Sequence, residues 1–83
     1  LHLNSFQKER LIDTLVHTPP SNLGDMQVIS TRCGDGCKLG LPDGWVIFRA
    51  SGTEPLVRIY AEATSKFKLY DILQAAIRYA QNL

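Results

Sequence analysis

Trp45-Val46-Ile47-Phe48-Arg49 and Leu56-Val57-Arg58-Ile59-Tyr60-Ala61-Glu62 are two β-prone runs separated by the polar stretch Ala50-Ser51-Gly52-Thr53-Glu54-Pro55. Branched and aromatic side chains fit a pleated, half-buried surface, so each run reads as a strand and the polar stretch as the loop between them. Val46, Ile47, Val57 and Ile59 supply apolar side chains, while Arg58, Tyr60 and Glu62 fall on the opposite face of the second strand, because successive residues of a strand point to opposite sides.

Upstream of Trp45, Pro42-Asp43-Gly44 combines a fixed φ, a turn-forming carboxylate and a permissive glycine, which predicts a tight reversal. Cys37 to Leu41 then reads as a short return strand, and Gly34-Asp35-Gly36 as a second hairpin turn. Before it, Met26, Val28 and Ser30 alternate with Gln27, Ile29 and Thr31, predicting one strand over residues 26–32. Short connections between consecutive strands make the sheet antiparallel.

Helical periodicity flanks the strands. Asn4 or Ser5 can cap a first helix in which Phe6, Leu11, Ile12, Leu15 and Val16 recur around the charged Lys8, Glu9, Arg10 and Asp13. Thr18-Pro19-Pro20-Ser21-Asn22 ends it, since proline cannot continue the bonding pattern. Ser65 can cap a last helix with a broad apolar stripe of Phe67, Leu69, Tyr70, Leu73, Ala76, Ile77 and Ala80. The fold predicted is α+β: a four-stranded antiparallel sheet with both helices packed on one face, the other face being wet or meeting another part of a longer protein.

With 83 residues the chain has material for a single core, so residues 1–83 read as one domain. A hydrophobic content of 45% and a charged content of 20% are those of a packed globular protein. The formal net charge of +1 gives no general attraction to nucleic acid or anionic lipid, so anion binding must come from a local cluster of donors. No apolar run approaches the about 20 residues of a membrane span, and no signal-peptide core follows Leu1, which predicts a soluble, cytoplasmic protein. The absence of an initial methionine reads as a segment of a longer polypeptide.

Cys33 and Cys37 lack a second pair at metal-ligand spacing and are not a zinc site. Across a tight hairpin they could oxidise, but in a cytoplasmic protein two reduced, partly buried thiols are expected. His2 and His17 are expected on the surface, Trp45 and Tyr60 as sheet-packing residues, and Phe67 and Tyr70 in the core.

The chemistry concentrates in Arg49-Ala50-Ser51-Gly52-Thr53-Glu54-Pro55 and Arg58. Arg49 can present paired N–H donors to a phosphate, Ser51 and Thr53 can each donate a hydroxyl, and Gly52 lets backbone amides approach without a Cβ in the way. Arg58 could reach the same anion from the next strand. Glu54 would repel a phosphate and is expected to turn away and fix Arg49, Arg58 or a backbone amide. From the residues alone, a plain hairpin loop beside an exposed arginine stays open as an alternative. So does a non-enzymatic RNA- or protein-binding sheet module, although the near-zero charge and the lack of paired aromatics on a central strand speak against RNA.

Arg49 to Pro55, together with Arg58-Ile59-Tyr60-Ala61-Glu62 and the preceding Asp43-Gly44-Trp45, resembles the signature of the last domain of the α-D-phosphohexomutases, the phosphoglucomutase and phosphomannomutase family. The resemblance implies a TATA-box-binding-protein-like fold. It also implies that this is the C-terminal phosphate-binding domain of a larger enzyme that interconverts hexose 1-phosphate and hexose 6-phosphate through a phosphoserine and a bisphosphate intermediate. Arg49, Ser51, Gly52, Thr53 and Arg58 would then hold the phosphate that is not being transferred. No catalytic residue, metal ligand or cofactor is expected in this segment, because the phosphorylated serine and the magnesium-binding loop of such enzymes have no counterpart here. Magnesium is expected in the parent enzyme, and the isolated chain should be inactive. The partners implied are a hexose phosphate and the other domains of the parent, with no nucleic acid and no membrane.

Overall fold

The structure, a computed structural model, describes residues 1–83 as α1 (Ser5–His17), β1 (Asn22–Leu23), β2 (Met26–Gln27), β3 (Ser30–Gly34), β4 (Gly36–Leu41), β5 (Gly44–Ala50), β6 (Val57–Ala63) and α2 (Lys66–Gln81). The sheet is a four-stranded antiparallel meander in chain order β3-β4-β5-β6. Its register sets Leu39 opposite Val46, Val46 opposite Ala61, and Phe48 between Cys37 and Ile59. Period-2 alternation sends Cys37, Leu39, Leu41, Val46, Phe48 and Val57 to one side, where all are buried.

Both helices cover that side. Leu11 and Leu15 of α1 and Ile72, Ala76 and Ala80 of α2 join the sheet residues in one core. Ala76 and Ala80 carry small side chains, which let α2 lie close over β5 and β6. The ring of Tyr79 packs 6.1 Å from that of Phe48. Its hydroxyl finds no hydrogen-bond partner, and burial raises its pKa above the ordinary tyrosine value. The α+β arrangement with both helices on one face is therefore present.

Several local expectations change. The strand expected over residues 26–32 is two pieces, because the chain changes partners at Val28: β2 pairs with β1, whereas β3 pairs with β4. Val28 N donates to Ser21 O and Ile29 N to Gly40 O, marking the transfer. Ile47, adjacent to the buried Val46, sits on the outer face between Lys38 and Tyr60. Phe67 and Tyr70 are 85% and 64% exposed instead of buried, since they fall off the line Ile72, Ala76, Ala80 that α2 turns to the sheet. Phe6 and Val16 likewise lie away from the Leu11–Leu15 line of α1 and are exposed.

Cys33 and Cys37 are a disulfide and not the expected pair of thiols. The hairpin register makes them direct cross-strand partners, with Cα atoms 4.1 Å apart. Trp45 stands at the outer face with the Lys38 ammonium 4.6 Å over its ring.

The turn between β4 and β5 is closed by its own contacts. Asp43 O accepts from Thr64 N at 3.0 Å, and the Asp43 carboxylate lies 3.4 Å from Lys68 Nζ. A Cβ on Gly44 would overlap the Glu62 carbonyl oxygen, so glycine is what permits β5 and β6 to meet there. No helix is long and apolar enough to cross a membrane.

Candidate functional site

At the opposite end of the sheet, the chain leaves β5 after Ala50 and re-enters β6 at Val57. Arg49 and Arg58 are direct cross-strand partners and both are exposed. Like charges held directly opposite destabilise an antiparallel pair unless a counter-charge relieves them. Only Arg49 has such a partner, since its Nη2 lies 3.0 Å from Asp35 Oδ2, with both side chains largely in solvent. Arg58 forms no ion pair, and neither does Glu54, whose carboxylate makes none of the expected contacts with Arg49, Arg58 or a backbone amide.

The loop backbone uses its groups unevenly. Ser51 N donates to Leu56 O at 3.1 Å and Leu56 N to Glu54 O at 2.8 Å, while Glu54 N donates to Ser51 Oγ at 3.2 Å. The Ser51 hydroxyl thus acts as an acceptor inside the loop, which leaves its own proton to donate outward. The amides of Gly52 and Thr53 donate to no protein acceptor. Both residues are exposed, and a Cβ on Gly52 would meet nothing within 4 Å. A turn with adjacent unpaired N–H groups, joining two strands that each carry an exposed arginine near the loop, is suited to receive an anion.

The loop is held from behind by the N-terminal part of the chain. Lys8 Nζ donates to Ser51 O at 2.6 Å and to Glu54 O at 2.9 Å. Leu3 N donates to Pro55 O at 3.0 Å, Val57 N donates to Leu1 O at 2.8 Å, and His2 bridges Leu56. Asn4 and Gln7 form a capping box that fixes the first turn of α1 and hence the origin of Lys8.

Of the residues singled out by sequence, Arg49 and Arg58 share one sheet face, and Ser51, Gly52 and Thr53 share the loop that joins their strands. Asp35 and Lys8 were not foreseen at this place. Asp35 was legible only as a turn residue and Lys8 only as part of a charged helix face. His17 is remote in role, bonded to the Asp13 of its own helix. No group of three or more His, Cys, Asp or Glu side chains converges in the chain.

A family model described as phosphoglucomutase/phosphomannomutase, C-terminal domain, matches residues 25–78, more than half of the chain. The phosphoglucomutase/phosphomannomutase of Thermococcus kodakarensis is 50% identical over 44 residues, covering 53% of this chain and 10% of that protein. The phosphoglucosamine mutase of Methanococcus aeolicus is 40% identical over 48 residues, 58% of this chain and 11% of its own length. A probable phosphoglucosamine mutase of Thermococcus gammatolerans is 32% identical over 74 residues, 89% of this chain and 12% of that relative. The chain thus spans about a tenth of the length of the curated relatives it matches. The matched segment contains every strand of the meander, the loop and most of α2, and by that match the chain belongs to the phosphoglucomutase/phosphomannomutase C-terminal domain family.

Proposed function

We propose that this chain grips the phosphate group of a hexose phosphate through Arg49, Ser51, Gly52, Thr53 and Arg58, as one part of a larger phosphohexomutase. The observation that carries this is the apposed Arg49–Arg58 pair beside the unpaired amides of Gly52 and Thr53. Each charge-assisted hydrogen bond contributes roughly 1.5–3 kcal/mol net, so a few of them together can orient a dianion.

In the parent enzyme, the phosphoryl group would pass between a phosphoserine outside this chain and the sugar, by way of a bisphosphate. The residues of this chain hold the phosphate that is not in transfer, position the sugar and help to exclude water. A clamp of this kind addresses a group common to glucose, mannose and glucosamine phosphates and leaves discrimination among them to other domains. Magnesium, where the parent uses it, is held elsewhere. The isolated chain is expected to be inactive and its compartment to be the cytoplasm. Base stacking on the open sheet face is a weaker alternative, because the Lys38 ammonium already covers the ring of Trp45.

Titration of the ¹⁵N-labelled chain with glucose 1-phosphate, with glucose as the control, tests the clamp. Saturable shifts confined to the amides of residues 49–54 and specific to the phosphate are expected. Equal shifts with glucose, or shifts centred on Trp45 and Tyr60, would remove the loop from this role.

A further inference from the structure

We infer that Lys8 is a positioning residue of the anion site: its ammonium holds the loop so that the Gly52 amide faces outward. The inference rests on the phosphate role of the loop and adds to it a residue from outside the matched segment.

Ser51 C=O and Gly52 N–H belong to one peptide unit, and no peptide bond in the chain is cis. In a planar trans unit the carbonyl and the amide point in opposite directions. Drawing Ser51 O to Lys8 at 2.6 Å therefore turns the Gly52 N–H away from α1, toward the open side of the loop. The second bond, to Glu54 O at 2.9 Å, closes the other end of the same turn. That carbonyl also accepts from Leu56 N at 2.8 Å, so the ammonium adds a second donor at the point where the loop turns back into β6.

Position on the helix makes this contact specific. Lys8 precedes the buried Leu11 by three residues and Leu15 by seven, which places it on the sheet-facing stripe of α1 and not on the solvent face. It forms no ion pair with a carboxylate, and both of its hydrogen bonds go to backbone carbonyls. The side chain thus ties down the negative ends of the loop dipoles and leaves the positive ends for an anion.

The decisive comparison is wild type against Lys8→Met, which keeps the aliphatic stem, and Lys8→Arg, which keeps charge and donors. Two quantities are read: ¹⁵N order parameters without ligand, and the Kd for glucose 1-phosphate. In Lys8→Met, the Gly52 and Thr53 amides should fall below about 0.6 while Val46 and Phe48 stay near about 0.85. The Kd should rise roughly tenfold, and Lys8→Arg should recover most of both losses. An unchanged Gly52 order parameter, or a Kd within twofold of wild type, would overturn the inference. Should the wild type bind no sugar phosphate, the phosphate role itself fails, and the ligand-free order parameters alone decide whether Lys8 shapes the loop.

Discussion

The two ends of the sheet treat their polar groups differently. At the β4–β5 turn, Asp43 is bonded to Thr64 and paired with Lys68, and Gly44 is walled in by the Glu62 backbone. At the β5–β6 loop, the Gly52 and Thr53 amides have no acceptor, Arg58 has no counter-ion, and the space around Gly52 is empty. A turn whose groups are satisfied within the chain serves the fold. One that keeps donors unpaired while being braced from behind has groups to spare for the anion proposed above.

Substituting the two glycines breaks the comparison most directly. Gly44→Ala forces a methyl group into backbone that cannot yield, and we expect about 3 kcal/mol of destabilisation, read from the urea midpoint. Arg49→Ala should leave stability within about 0.5 kcal/mol, because the side chain is exposed, yet weaken glucose 1-phosphate binding roughly thirtyfold by titration. In the intact enzyme the same change should raise KM and lower kcat.

Gly52→Ala is the counterpart of Gly44→Ala: no measurable loss of stability and about a fivefold loss of phosphate affinity, since the methyl group stands where the anion approaches. A loss of stability like that of Gly44→Ala would erase the distinction between the two ends. Asp35→Asn sharpens it further. Its carboxylate competes for Arg49, so its removal should improve phosphate affinity about twofold while leaving the urea midpoint in place.

The strands nearest the loop were the most legible part of the sequence, because the alternation of Val57 and Ile59 with Arg58 and Tyr60 encodes one buried and one open face. The candidate loop was legible through Arg49-Ala50-Ser51-Gly52-Thr53 itself. What escaped was relational. Met26 to Arg32 has the composition of one strand, and only the partner change at Val28 divides it. Phe67 and Tyr70 match helical spacing, but the sheet selects the narrower line of Ile72, Ala76 and Ala80. The disulfide follows from a register that places Cys33 against Cys37. Asp35 and Lys8 reach the site across 14 and 43 residues of chain, a separation that no local pattern records.

The order of the meander has a consequence for how the chain acquires its shape. Each sheet strand pairs with its neighbour in sequence, so β3 to β6 close short loops and form with little entropic penalty. The bonds from Leu1, Leu3 and Lys8 to the β5–β6 loop and the first residue of β6 span 43 to 56 residues and are expected to close late. Substitutions at the β4–β5 turn should therefore slow folding, whereas those in the first turn of α1 should mainly hasten unfolding. On this kinetic order, the loop acquires its final form only when the first residues of the chain have reached it.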